Sequence, residues 1–388
     1  MSGKAANTGN VSVIKRVAVI AAVLAVIFIV LLIVASRFGN MPFSGMGTRL
    51  AEKLGSGSSD AFPVRLDDTE EYSAGITGKG FYVLTDHNIR LYASDGELLV
   101  THSFVFELPA VTVLGNELLV YDRGGTGFFI INGTSVSKEH TADDSIITAA
   151  LGSRGNYALS IRSDSATSTL CMFNKANEPA FIWNCAYEHI VSIDLAGDGK
   201  HIAALSVGAE NGDAVSVLHV FSFEYTDELY SYSFPGITAL KVMYLTNKRI
   251  LIMTDAGLYI CEDQAEPVVL KACYASELDC FSFAQNGVFA QTLTKYGGSN
   301  MCELSAYDKN GEELFTVSPG STALSLHTNG KYIFLLAESG IMVYNLKGEL
   351  VGSSTPEFEA ATVFGNGSYV FSCTLGGICR DYAVNNAQ

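Results

Sequence analysis

FYVLTDHNIRLYASDGELLV, residues 81–100, packs three short strands into twenty residues. An apolar run is followed by a TDHN turn, a second run closing on Tyr92, the pair Asp95-Gly96, and a third run. Asp-Gly supplies the positive φ that a tight hairpin needs. The same unit returns as YIFLLAESGIMVYNLKGELV at 332–351 and, shorter, as CELSAYDKNGEELFTV at 302–317. The closing aromatic can be followed through Tyr92, Phe129, Phe173, Phe221, Tyr259, Tyr307, Tyr344 and Tyr382, eight units at spacings of 37, 44, 48, 38, 48, 37 and 38. A mean near 41 residues is the length of a four-stranded propeller blade. A helical repeat of that length would show amphipathic helices, and no stretch holds a helical period. The reading is therefore all-β, an eight-bladed β-propeller. A seven-bladed ring follows instead if the least regular unit, residues 109–140, is not a blade.

The two ends of the repeat support a closed ring. Residues 361–383 hold only three strands, and six residues remain after Tyr382. AFPVRL, residues 61–66, is a spare strand ahead of the first complete blade. Placed on the last sheet, it would complete blade eight and remove an open sheet edge.

Composition limits the function classes. Hydrophobic residues make up 48% and charged residues 16%, with 37 Gly, which excludes a disordered chain, a coiled coil and a collagen. A net charge of -16 argues against a nucleic-acid partner.

Ahead of the repeat, residues 17–35 are 19 consecutive apolar residues, about 28 Å as a helix, which matches a bilayer core. A cleaved signal would carry a shorter apolar run of about 7–15 residues, and Val34-Ala35-Ser36 is a poor cleavage site. The expected organisation is a cytoplasmic tail at 1–14, a transmembrane helix at 15–36, a Gly/Ser-rich linker at 37–60 and a propeller at 61–384. Lys15 and Arg16 abut the helix, and the following domain is long enough to translocate regardless of its charge. The expected location is the cell membrane, single-pass, with the propeller extracytoplasmic.

The repeating unit resembles the blades of quinoprotein-like and other WD40-like propellers of bacteria. With its anchor and linker, the layout over residues 15–384 is similar to an uncharacterised Gram-positive family of single-pass membrane propellers classed as a domain of unknown function. That resemblance implies no activity. The Trp-containing docking motif of true quinoproteins is missing, Trp183 being the only Trp; adjacent cysteines and the Trp-Asp dipeptide of eukaryotic blades are absent too.

No HExxH, GxSxG or GxxxxGK[ST] motif is present, and no cofactor is implied. The seven His are scattered and CxxC is missing, so no metal site is expected. Outside the cell, Cys171 with Cys185 and Cys373 with Cys379 could face each other across hairpins as disulfides. Asp86, Asp122, Asp255 and Glu338 end second strands, where a carboxylate ordinarily binds nearby backbone N–H groups.

Loop length offers the functional hint. Blades 1, 5, 7 and 8 join their second and third strands by TDHN, TDAG, AESG and TLGG, whereas blades 2, 3, 4 and 6 use longer connections. These would form a lopsided rim containing Arg123, Arg162, Asp164, Glu210, Asp213, Lys295 and Tyr296. The expectation is a binding or scaffolding module for a protein, peptide or glycan, held at the membrane by its N-terminal helix. The alternative is a propeller hydrolase or lyase acting on envelope or extracellular polysaccharide.

Overall fold

The computed structural model describes residues 61–66, 71–210, 212–225, 227–295, 301–356 and 358–383. The tail, helix and linker expected at 1–60 lie outside them. No helix among the described residues is long and apolar enough to cross a membrane.

Eight antiparallel sheets follow one another along the chain. Blade 1 runs from Tyr72 to Ser103, blade 2 from Pro109 to Thr141, blade 3 from Ile146 to Cys185 and blade 4 from His189 to Pro235. Blade 5 runs from Ala239 to Ala272, blade 6 from Leu278 to Val317, blade 7 from Ala323 to Ser354 and blade 8 from Ala360 to Ala383. In blade 2 the outer position is shared by two short pieces, Ser135–Val136 and His140–Thr141, both paired with Gly127–Asn132. This is why its sequence looked least regular.

Blade 8 has three strands of its own. Its fourth is Val64–Arg65, here β1, with Val64 opposite Ile378 and Arg65 opposite Gly377. The Leu66 amide extends the ladder to Gly376 O at 3.1 Å. The Tyr72 hydroxyl, from blade 1, is shared between the carbonyls of Thr374 (2.6 Å) and Gly377 (2.9 Å). First blade, last blade and leading strand are thereby joined.

The core is divided between the blades rather than gathered at one centre. Eight apolar clusters fill the eight gaps between neighbours; the one between blades 8 and 1 holds Val64, Phe81, Tyr92, Phe364, Phe371 and Ile378. Fully buried Phe81, Phe129, Phe221, Phe289, Phe334 and Phe371 each contribute roughly 1.5–3 kcal/mol by leaving water. In most blades the closing aromatic pairs with an apolar residue of the second strand, as in the stacked rings of Phe81 and Tyr92 (5.1 Å) and of Phe289 and Tyr307 (5.0 Å). Phe129 and Tyr259 instead lie mid-strand, in Gly127–Asn132 and Gly257–Glu262, with Ile131 and Cys261 at the last buried position. The repeat frame read from aromatics slips in those two blades.

Antiparallel order gives the wheel two unlike faces. Turns joining first to second and third to fourth strands lie on the lower face; turns joining second to third strands, and the links between blades, lie on the upper. The lower face is laced. The side-chain amide of Asn286 donates to Gly330 O (2.9 Å), Asn329 to Gly367 O (2.9 Å) and Asn366 to Gly80 O (2.7 Å), tying blades 6, 7, 8 and 1 in sequence. The Gly78 amide continues to Gly115 O of blade 2 at 2.7 Å, and Ser153 ties blade 3 to Gly197 O of blade 4 at 2.8 Å.

On the upper face the tight turns rest on glycine. Gly377 has φ +132, and a Cβ there would sit 2.0 Å from the carbonyl oxygen of Val64 in β1. Only a residue without a side chain lets the third strand start so close to its partner.

Candidate functional site

The innermost strands surround the central channel, and six in succession share a defect. Cross-strand register skips one residue at Ile147, Val191, Leu240, Asp279, Leu324 and Ala361, near the upper end of blades 3 to 8. A β-bulge of this kind adds a residue that the ladder cannot pair and bends the strand locally. Val191, Leu240, Asp279, Leu324 and Ala361 are exposed and Ile147 is half-buried. The result is a mostly apolar collar at the upper mouth of the channel, with one carboxylate. Blades 1 and 2 have no such skip in their innermost strands.

Below the collar the inner strands are coupled through side chains that accept buried and half-buried amide N–H groups of the next blade. Ser192 Oγ accepts from Val242 (3.1 Å), Ser282 Oγ from Thr328 (2.9 Å) and Ser325 Oγ from Val363 (3.3 Å). Asp194 Oδ2 accepts from Tyr244 at 2.7 Å. Burial outweighs that hydrogen bond and raises the Asp194 pKa to about 6.

A cavity of about 980 Å³ opens beside the collar between blades 7, 8 and 1. Ser73 and Ala74 of blade 1, His327 of blade 7, Thr362 of blade 8 and the turn residue Leu375 contribute to its wall, with Glu71 and Glu359 supplying carboxylates. Burial pushes the His327 pKa down to about 4, and its Nε2 is enclosed without a hydrogen-bond partner. This imidazole is therefore neutral at physiological pH. The cavity wall mixes apolar side chains with hydroxyls, and two carboxylates belong to it.

The upper face around the mouth is studded with apolar side chains. The four most exposed large hydrophobic residues described are Val105 (96%), Tyr187 (86%), Leu375 (86%) and Tyr274 (76%). Three lie in links between blades and Leu375 in the turn of blade 8, so all four are on this face. None has a place in a strand pattern. A large apolar residue in a link, as in SFVFELP around Val105 or AYEH around Tyr187, was the available signal, and a single sequence makes it weak.

Arg123, Arg162, Asp164, Glu210 and Asp213 are exposed on the same face, farther out, over blades 2, 3 and 4. Among the described residues no side-chain hydrogen bond or ion pair joins any two of them. Tyr296 lies outside the described residues, and Lys295 is placed only as the end of the strand Phe289–Lys295. The connection of blade 4 is not an open loop: its strands His201–Glu210 and Asp213–Ser222 stay paired to the tip, with Glu210 opposite Asp213.

Two other sequence expectations are resolved. Of the four turn carboxylates, Asp122 Oδ1 accepts the amides of Glu107 (3.1 Å) and Leu108 (2.9 Å) and Asp255 Oδ1 that of Thr238 (3.0 Å), the expected structural use, whereas Asp86 meets the His87 ring. The register does not favour the two expected disulfide pairs. Cys171 stands opposite Ile182 and Cys185 opposite Ser168, while Cys373 stands opposite Ile378 and Cys379 opposite Ser372. The offsets are odd, which puts the members of each pair on opposite faces of their sheet.

Comparison with solved structures places the architecture among known propellers. BamB from Moraxella catarrhalis superposes with a TM-score of 0.52 at 11% identity, over 84% of this chain and 97% of that one. Saccharomyces cerevisiae Sqt1 gives 0.55 at 12% identity, over 83% and 99%. At such identities the likeness is one of fold alone. No curated protein matches the sequence. The pattern of the Family of unknown function (DUF5711) matches residues 64–372, from the clasp strand into the last blade, and the chain belongs to that family.

Proposed function

We propose that this chain is a membrane-anchored, extracytoplasmic propeller that captures a protein or peptide segment on its upper face, at the channel mouth. The observation that carries the proposal is the asymmetry of the faces: among the described residues, the four most exposed large apolar side chains all lie on the upper one. They are spread around that face, on the links between blades 1 and 2, 3 and 4, and 5 and 6 and on the turn of blade 8, and exposed aromatic and aliphatic side chains set among polar ones suit a protein contact. The charged side chains of Arg123, Arg162, Asp164, Glu210 and Asp213 would be among those polar ones. The anchor rests on the apolar run at 17–35 and the Gly/Ser-rich residues after it.

A photo-crosslinking residue placed at Tyr274 or Leu375, and at Tyr225 on the lower face as control, tests the face. Adducts from the first two alone are expected; equal labelling from Tyr225 would sink the idea. A carbohydrate adduct would keep the face and change the partner to a glycan. Protease treatment of intact cells tests the location, and a C-terminus protected until lysis would overturn it. The polysaccharide-cleaving alternative would have to run on Glu71 and Glu359 in the cavity wall; turnover abolished by Glu71→Gln and Glu359→Gln would favour it.

A further inference from the structure

Between blades 3 and 4, outside the channel, three side chains of metal-binding type converge. Cys185 ends the outer strand of blade 3, Glu188 lies in the link to blade 4, and His219 is in the third strand of blade 4. One donor atom from each lies within 4.8 Å of the other two, the one such group among the described residues. Cys185 and His219 are buried and Glu188 is half-buried. At present the Cys185 thiol donates to Glu188 Oε2 at 3.1 Å.

The arrangement around His219 is directional. Its Nδ1 lies 2.6 Å from Glu228 Oε1, and its Nε2 lies 2.9 Å from Ser206 Oγ. A carboxylate only accepts, so Nδ1 carries a proton, and in the neutral ring Nε2 then presents its lone pair, the tautomer that a metal requires. Trp183 packs against the imidazole with ring centres 4.8 Å apart. Opposite, Gly208 makes room for Glu188: a Cβ there would come within 2.9 Å of Glu188 Cγ.

We infer that Cys185, Glu188 and His219 Nε2 bind a divalent cation of zinc type, with Glu228 orienting the imidazole and the Ser206 hydroxyl beside the fourth position. Thiolate, carboxylate and neutral imidazole sum to two negative charges, which a divalent ion neutralises in a buried setting. Binding breaks the Cys185 S–H bond, forms a sulfur–metal bond and releases one proton to solvent. Donor atoms around tetrahedral zinc stand roughly 3.3–3.6 Å apart, so side-chain shifts of about an ångström close the site. The ion would pin blade 3 to blade 4.

The test uses the full-length chain in detergent, stripped with chelator and titrated with Co2+ and then Zn2+. One equivalent of Co2+ should produce the near-ultraviolet thiolate-to-cobalt band, and Zn2+ should displace it and raise the melting temperature. Cys185→Ser should abolish the band; Cys373→Ser should keep it. Because Cys185 is buried and its variant could misfold, Glu188→Gln provides an independent arm and should weaken Co2+ binding at least tenfold. Glu228→Gln should weaken it about 10–100-fold, as expected of an orienting carboxylate. The proposal is overturned if the wild-type chain takes up no metal, or if uptake is unchanged in Glu188→Gln and in a folded Cys185→Ser.

Discussion

The side-chain amide of Asn366, in blade 8, donates to the carbonyl of Gly80, in blade 1, at 2.7 Å across 286 positions of chain. With β1 on the upper part of the same seam, this bond closes the ring from below. Asn366→Ala should cost about 1–2 kcal/mol, the loss of this half-buried hydrogen bond and of the longer one that the same amide makes to Thr77 O (3.4 Å). The urea midpoint should fall accordingly, and an unchanged midpoint would show that the lacing carries no stability.

Gly377 and Gly115 provide a paired test of what glycine does here. Both have positive φ, but a Cβ at Gly115 meets nothing within 4 Å, whereas one at Gly377 strikes the Val64 carbonyl. Gly115→Ala should cost about 1 kcal/mol of backbone strain, and Gly377→Ala about 2–4 kcal/mol because the clasp must also shift. Equal losses in thermal unfolding would refute the role given to the Gly377 contact.

Two buried groups set opposing pH dependences. Folded Asp194 keeps its proton up to about pH 6, whereas in the unfolded chain it leaves near 3.8, so the native state binds more protons in between and stability falls as pH rises through that window. Folded His327 releases its proton by about pH 4 rather than 6.5, so stability falls as pH drops through 6.5 to 4. Each contributes up to about 2–3 kcal/mol. Asp194→Asn should be stabilised at pH 7 and lose stability only on acidification, while His327→Leu should do the reverse. Urea midpoints from pH 4 to 7 check this, and a variant that reproduces the wild-type profile would remove its residue from the account.

Leu375→Asp and Tyr274→Asp, at residues that touch little of the core, should change stability by less than about 0.5 kcal/mol. Both should reduce recovery of the cross-linked partner at least fivefold. Normal recovery from folded variants would move the binding surface elsewhere.

The architecture was legible because its signals are local. Gly257, Gly340 and Gly377 announce tight turns through a conformation other residues avoid, and buried aromatics recur at blade length. The frame slipped at Phe129 and Tyr259 because the packed position accepts Ile131 or Cys261 equally well. The collar was illegible: five of Ile147, Val191, Leu240, Asp279, Leu324 and Ala361 are aliphatic, as most strand residues are, and what sets them apart is a cross-strand register that no single strand encodes. The longer connections were visible, yet Glu210 and Asp213 turned out to end paired strands, because extra length can enter a ladder as easily as a loop. Cys185, Glu188 and His219 meet across two blades, beyond what motif spacing reports.

The collar also has a gap. Six inner strands bulge and two consecutive ones, in blades 1 and 2, run straight, so an object entering along the axis meets different walls as it is turned. The near-eightfold wheel therefore has a keyway. An occupant shaped to it would seat in one rotational setting out of eight, giving a symmetric-looking hub the means to orient what it holds.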